Sequence, residues 1–99
     1  MTDDSRATDV ESPRRAGAPH HLVLYGRAWC HLCDDMRAAL EPLLAGTGAR
    51  LDVIDVDSDP ALTTRYDERV PVLVCDGIEL CHYRLDEPRV RAALARRFA

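Results

Sequence analysis

The chain has 99 residues, 46% hydrophobic and 30% charged, with a formal net charge of −4. That size supports one domain with a thin core, one sheet and a few helices, and the acidic balance argues against nucleic acid as the main partner. No stretch approaches the roughly 20 apolar residues of a membrane span, and the Met-Thr-Asp-Asp start lacks a signal's apolar segment, so a reducing cytoplasm is the expected compartment.

Residues 1–19 are rich in Asp, Ser, Thr, Pro, Gly and Arg, and beyond Met1 Val10 is their only large apolar residue. Such a segment cannot offset its ordering entropy, which predicts a disordered tail before a domain over 20–99. His20 and His21, where the tail ends, are expected to be solvated. His21 to Tyr25 is a β-type run that stops at Gly26. From His31 the period changes. Leu32, Met36, Ala39, Leu40 and Leu43 recur every three or four residues, predicting one apolar helix face. Pro42 interrupts this helix and bends its last turn, and Gly46 or Gly48 closes it.

Leu51 to Val56 reads as the second strand. Ser58-Asp59-Pro60 then signals a helix start, with the helix running to about Glu68. Pro71 to Cys75 is the third strand, Asp76-Gly77 a two-residue hairpin turn, and Ile78 to Cys81 the fourth strand. Asp86-Glu87-Pro88 opens a last helix, with Val90, Ala93, Leu94 and Phe98 facing inward and Arg96-Arg97 suiting its C-terminal dipole. The order is β-α-β-α-β-β-α, an α/β chain. A right-handed first crossover makes strands one and two parallel, and the hairpin completes a four-stranded mixed sheet flanked by helices on both faces.

Four cysteines in a short cytosolic chain point to redox chemistry or metal binding rather than a disulfide scaffold. Cys30-His31-Leu32-Cys33 follows a strand and opens a helix. Free N–H groups and the helix dipole there favour an anion, so the first thiol loses its proton more easily. Cys30 is then the attacking thiolate and Cys33, one turn in and more buried, the resolving thiol. Arg27 and His31 add positive potential beside Cys30, and Trp29 is placed to cover the thiolate and contact a protein substrate. The alternative reading is a zinc or iron–sulfur module held by Cys30 and Cys33. On spacing alone, Cys81 or His82 is available as a third ligand. With Asp76-Gly77 as a two-residue turn, Cys75 pairs with Ile78 and Cys81 with Val72. The two cysteines then point to opposite sides of the sheet, which disfavours a bond between them. Cys75 is expected to be a small core residue.

Over about residues 20–98 the chain resembles the glutaredoxin-like branch of the thioredoxin superfamily. The resemblance rests on Leu24-Tyr25-Gly26-Arg27-Ala28-Trp29-Cys30-His31-Leu32-Cys33, on Val70-Pro71 and on the Asp76-Gly77 turn. A group of bacterial glutaredoxin-like proteins with a similar CHLC motif fits better than the glutaredoxins themselves. The resemblance implies a thioredoxin fold, a cis Pro71 packed against the active-site sulfurs, and dithiol–disulfide oxidoreductase activity; the chain itself is expected to be a monomer. It implies that backbone groups of Val70 pair with the bound thiol substrate and that Arg27 contacts a glutathione carboxylate. Where glutaredoxins carry two glycines and then an acid, this chain has Cys81-His82-Tyr83-Arg84. Side chains there hinder close backbone approach, and Arg84 has the wrong charge, leaving Asp86 or Glu87 to replace the acid. Glutathione is therefore expected as a reductant at most, alongside a thioredoxin-type reductase, with no resident cofactor or metal. The expected substrates are disulfide-containing proteins or small thiols.

Overall fold

The computed structural model describes residues 20–96. The expected tail over 1–19, and the expected roles of Arg97 and Phe98, lie outside the described residues. Strand β1, His21–Gly26, alternates half-buried and buried positions, so Leu22, Leu24 and Gly26 face one side and Val23 and Tyr25 the other. Helix α1 follows over His31–Leu44. Strand β2, Arg50–Asp55, pairs parallel with β1, from His21 against Arg50 to Gly26 against Asp55. A 3₁₀ turn over Val56–Ser58 buries Val56, and Asp59 caps α2, Pro60–Tyr66, by accepting the Ala61 N–H at 2.9 Å. Strands β3, Val72–Cys75, and β4, Ile78–His82, form the hairpin. Helix α3, Glu87–Ala95, is capped by Asp86, which accepts the Arg89 N–H at 3.1 Å.

The sheet order is β2-β1-β3-β4, with β3 antiparallel to both neighbours. This is the predicted order of elements in an α/β thioredoxin-like arrangement. On one face, Leu22, Leu24, Leu73 and Leu80 pack against Met36 and Leu40 of α1 and Val90 and Ala93 of α3. On the other, Val72 packs with Val56 and Tyr66, and the Tyr25 and Tyr66 rings stack at 4.6 Å to seat α2. Helix α2 ends at Tyr66, short of Glu68. Among the described residues no helix is long and apolar enough to cross a membrane.

Several expectations need correction. The inner face of α1 is Cys33, Met36 and Leu40, whereas Leu32 and Ala39 are exposed. Cys33, one residue or about 100° round the helix from Leu32, takes its place, while Met36 and Leu40 stay on the buried stripe, so its centre turns by roughly half that angle. Pro42 sits inside α1 on its exposed side, and the helix runs past it to Leu44. His20 is buried, not solvated: Nδ1 lies 2.5 Å from an Asp76 carboxylate oxygen and Nε2 3.0 Å from the Arg96 carbonyl. His21 pairs with Asp52 at 2.7 Å and, with Arg50, holds that carboxyl below its ordinary range.

The Asp76-Gly77 turn forms with both residues at positive φ, 51° and 87°. That is the type I′ pattern, in which Gly77 supplies a conformation that a Cβ would strain. Cys75 pairs with Ile78 as expected, but a β-bulge shifts the register between Leu73 and Val74. Cys81 therefore opposes Leu73, and His82 opposes Val72. Leu73 and Cys75 share a face, so the shift brings Cys81 to the same side as Cys75, against the α1–α3 core. The expected opposite facing of the two cysteines is overturned. All four cysteines are free thiols.

A candidate dithiol site at the start of helix α1

The sequence turns from strand to helix within the four residues after Gly26. Trp29 takes φ 64°, a left-handed conformation unfavourable for a residue with a Cβ. Cys30 then adopts an extended conformation as the N-cap of α1. Its sulfur accepts the Cys33 N–H at 3.2 Å, filling the capping role usually taken by a serine or aspartate oxygen. The first helical bond, from Asp34 N–H to the Cys30 carbonyl, is 3.1 Å. Cys30 is half-buried and Cys33 buried.

Burial raises the Cys33 thiol from about 9 to about 11, and its hydrogen bond to the Cys30 sulfur adds to the rise. The Arg27 backbone N–H opposes the shift without cancelling it. Cys33 thus stays a thiol at neutral pH, which suits the second step of a dithiol exchange rather than the first.

Gly26 makes room for this buried sulfur. A Cβ built there would lie 3.0 Å from Cys33 Sγ and 3.3 Å from Cys33 Cβ. Gly26→Ala is expected to destabilise the reduced protein by about 1–3 kcal/mol through overpacking. Urea denaturation checks this, and an unchanged midpoint would mean that Cys33 moves aside freely.

The Val70–Pro71 peptide bond is cis and Pro71 is fully buried. Because β3 runs antiparallel to β1, with Val72 opposite Tyr25, Val70 and Pro71 reach the sheet end where β1 hands over to the Cys30 loop. The Pro71 carbonyl accepts the Tyr83 N–H at 2.9 Å, and the Tyr83 hydroxyl donates to the Glu68 carbonyl at 2.7 Å. Trp29 is 99% exposed, Leu32 and Tyr83 are partly exposed, and His31 is exposed at the first position of α1.

Arg27 is tied down. Its guanidinium donates twice to the Asp57 carboxylate, at 3.0 and 3.1 Å, and to Asp67 through both carboxylate and backbone oxygens, at 2.8 and 3.1 Å. These bonds raise the Arg27 pKa and hold the Asp57 carboxyl below its ordinary range. Of the residues considered as replacements for the missing acid, Asp86 is engaged as the α3 cap and Glu87 pairs with Arg91 at 2.8 Å. His82 lies 3.6 Å from Glu79, and Arg84 is exposed.

Sequence reasoning missed a cavity of about 290 Å³ on the β2 side of Cys33, bordered by Gly26, Arg27, Asp34, Arg37 and Asp55. Its signal was the parallel pairing of Gly26 with Asp55, which brings that acid beside the start of α1. Among the described residues, no group of three metal-ligand side chains combines Cys30 and Cys33 with Cys81 or His82. The three-ligand version of the metal reading is therefore not assembled.

Comparisons with known proteins agree with the fold. Residues 21–95 match the glutaredoxin-like domain family, DUF836. The Mycobacterium tuberculosis protein Rv0508 is 35% identical over 80 residues, covering 76% of this chain and 82% of that protein. The solution structure of Ne2328 from Nitrosomonas europaea superposes with a TM-score of 0.71 at 41% identity, covering 90% of this chain and 99% of that one. The X-ray structure of XcR50 from X. campestris gives 0.60 at 44% identity, covering 74% and 93%. A mutant thioredoxin from Halobacterium salinarum gives 0.54 at 30% identity, covering 76% and 71%. On the family match and these relatives, the chain belongs to the glutaredoxin-like domain family of the thioredoxin superfamily.

Proposed function

We propose that the protein is a dithiol–disulfide oxidoreductase working at Cys30 and Cys33. The observation that supports this reading most is the placement of the Cys30 sulfur at the N-cap of α1, accepting the Cys33 N–H. There the sulfur lies among the free N–H groups that open the helix, at the half-buried end of the pair where a substrate disulfide can reach it. The Cys30 thiolate attacks one sulfur of a substrate disulfide, forms a mixed disulfide and expels the other sulfur as a thiolate. Cys33 then loses its proton to solvent and attacks the Cys30 sulfur. The second substrate thiolate leaves, and Cys30 and Cys33 remain as a disulfide. An external dithiol or two thiols return two electrons to complete the cycle, from a thioredoxin-type reductase or glutathione.

Burial of Cys33 supports the order of steps, because the group that titrates high is the one needed second. The exposed Trp29 and His31 and the backbone of Val70 supply the contact surface for the substrate, a disulfide-bearing protein or small thiol. The alternative, in which Cys30 and Cys33 hold zinc or an iron–sulfur cluster, makes a different prediction in the same experiment.

The test is a titration in glutathione redox buffers, with the Cys30–Cys33 state read by alkylation and intact mass. The expected result is one two-electron transition between about −200 and −270 mV, the span of glutaredoxins and thioredoxin. Cysteines that never pair, or that alkylate only after a metal is stripped, would rule the reading out.

A further inference from the structure

A second group of reactive side chains lies at the opposite end of β1 from Cys30. His20 precedes β1, Cys75 ends β3, and Asp76 opens the hairpin turn. His20 is 7% exposed and Cys75 4%. One ligand atom from each of the three lies within 4.8 Å of the others. The Asp76 Oδ2 atom is shared: it is 2.5 Å from His20 Nδ1 and 3.4 Å from the Cys75 sulfur.

The surrounding bonds aim these atoms. His20 Nε2 lies 3.0 Å from the Arg96 carbonyl, which only accepts, so Nε2 carries a hydrogen. In a neutral ring Nδ1 then presents its lone pair to the Asp76 oxygen, and the contact needs a cation between them. A second proton on the ring meets that need, and so does a metal ion. The other Asp76 oxygen accepts the His21 N–H at 3.0 Å, which fixes the carboxylate plane. A backbone carbonyl behind the imidazole and a hydrogen bond behind the carboxylate are the outer contacts that orient metal ligands.

We propose that His20 Nδ1, Cys75 Sγ and Asp76 Oδ2 form a zinc site independent of the Cys30–Cys33 pair. Imidazole, thiolate and carboxylate are zinc's ordinary donors, and around a tetrahedral ion they stand about 3–4 Å apart, within small movements of the present positions. Binding releases the Cys75 thiol proton and any proton on Nδ1, and the two anionic ligands balance the dication. An adjoining cavity of about 80 Å³, bordered by Ile78, Leu80 and Arg96, leaves space for a water as fourth ligand. The ion joins the segment before β1 to the β3–β4 turn, and the Arg96 carbonyl links it to the end of α3.

The experiment uses the full chain with Cys30→Ser and Cys33→Ser, reduced and chelator-stripped, so that the dithiol does not compete. Cobalt(II) is added as the optical probe and zinc as competitor. One equivalent of cobalt with thiolate charge-transfer and tetrahedral visible bands, displaced by one equivalent of zinc, is expected. Adding Cys75→Ser or His20→Gln is expected to weaken cobalt binding by more than about 10-fold. Should either variant fail to fold, Asp76→Asn retains a residue that tolerates the left-handed turn and tests the third ligand. No stoichiometric cobalt complex, or one of equal strength in Cys75→Ser or Asp76→Asn, overturns the site.

Discussion

Cys30→Ser is expected to bring disulfide reduction down to the uncatalysed rate while leaving the fold intact. The hydroxyl cannot form the mixed disulfide, so the first step is lost. Serine is a preferred N-cap, however, and keeps a hydrogen bond to the Cys33 N–H in place of the sulfur's 3.2 Å contact. Thermal unfolding should therefore stay near that of the parent protein while turnover disappears. Cys33→Ser is the complement: attack proceeds, the mixed disulfide persists, and the adduct is visible by intact mass. Full activity in Cys30→Ser would show that another group is the nucleophile.

Leu40→Ala is expected to cost about 2–5 kcal/mol, a large part of the roughly 5–15 kcal/mol available to a domain. Leu40 is 0% exposed, in the cluster where α1 meets the sheet and α3. Its removal leaves a cavity that helix and strands cannot both close. The informative control is Leu32→Ala. The sequence period places Leu32 and Leu40 on one apolar face, yet Leu32 is 41% exposed, and its truncation should cost about 0.5 kcal/mol or less. Urea denaturation of the two variants side by side checks the orientation of α1. Equal losses would mean that the helix is turned about its axis from the position described.

That contrast shows what local pattern carries. Gly26, Asp59-Pro60, Asp76-Gly77 and Asp86 punctuate the chain through backbone geometry and capping, which are properties of a few adjacent residues. Element order and sheet composition were therefore legible. So was the CxxC at a strand-to-helix junction, since its position follows from the same punctuation. The edge of α1's buried face was not: Met36 and Leu40 were legible, but Cys33 counts as a buried position only once its helix lies on the sheet. The bulge beside Leu73 was not either. No turn residue marks it, and it moves Cys81 to the side of the sheet that Cys75 faces. His20 looked like part of a polar segment, and its burial depends on Asp76 and Arg96, far away in sequence. Tertiary partners, rather than local propensity, decide each of these positions.

The bonds of Arg27 set a condition on any anion that would bind there. A guanidinium reaching toward solvent would add an incoming carboxylate as a new ion pair. Here Asp57 and Asp67 already occupy it, from either side of α2. Any carboxylate that docked at Arg27 would have to replace an internal one, a swap of one anion for another with little change in local charge. Because Asp57 and Asp67 flank α2, releasing Arg27 would loosen the segment that carries that helix, which ties the guanidinium to the stiffness of the opposite face of the sheet.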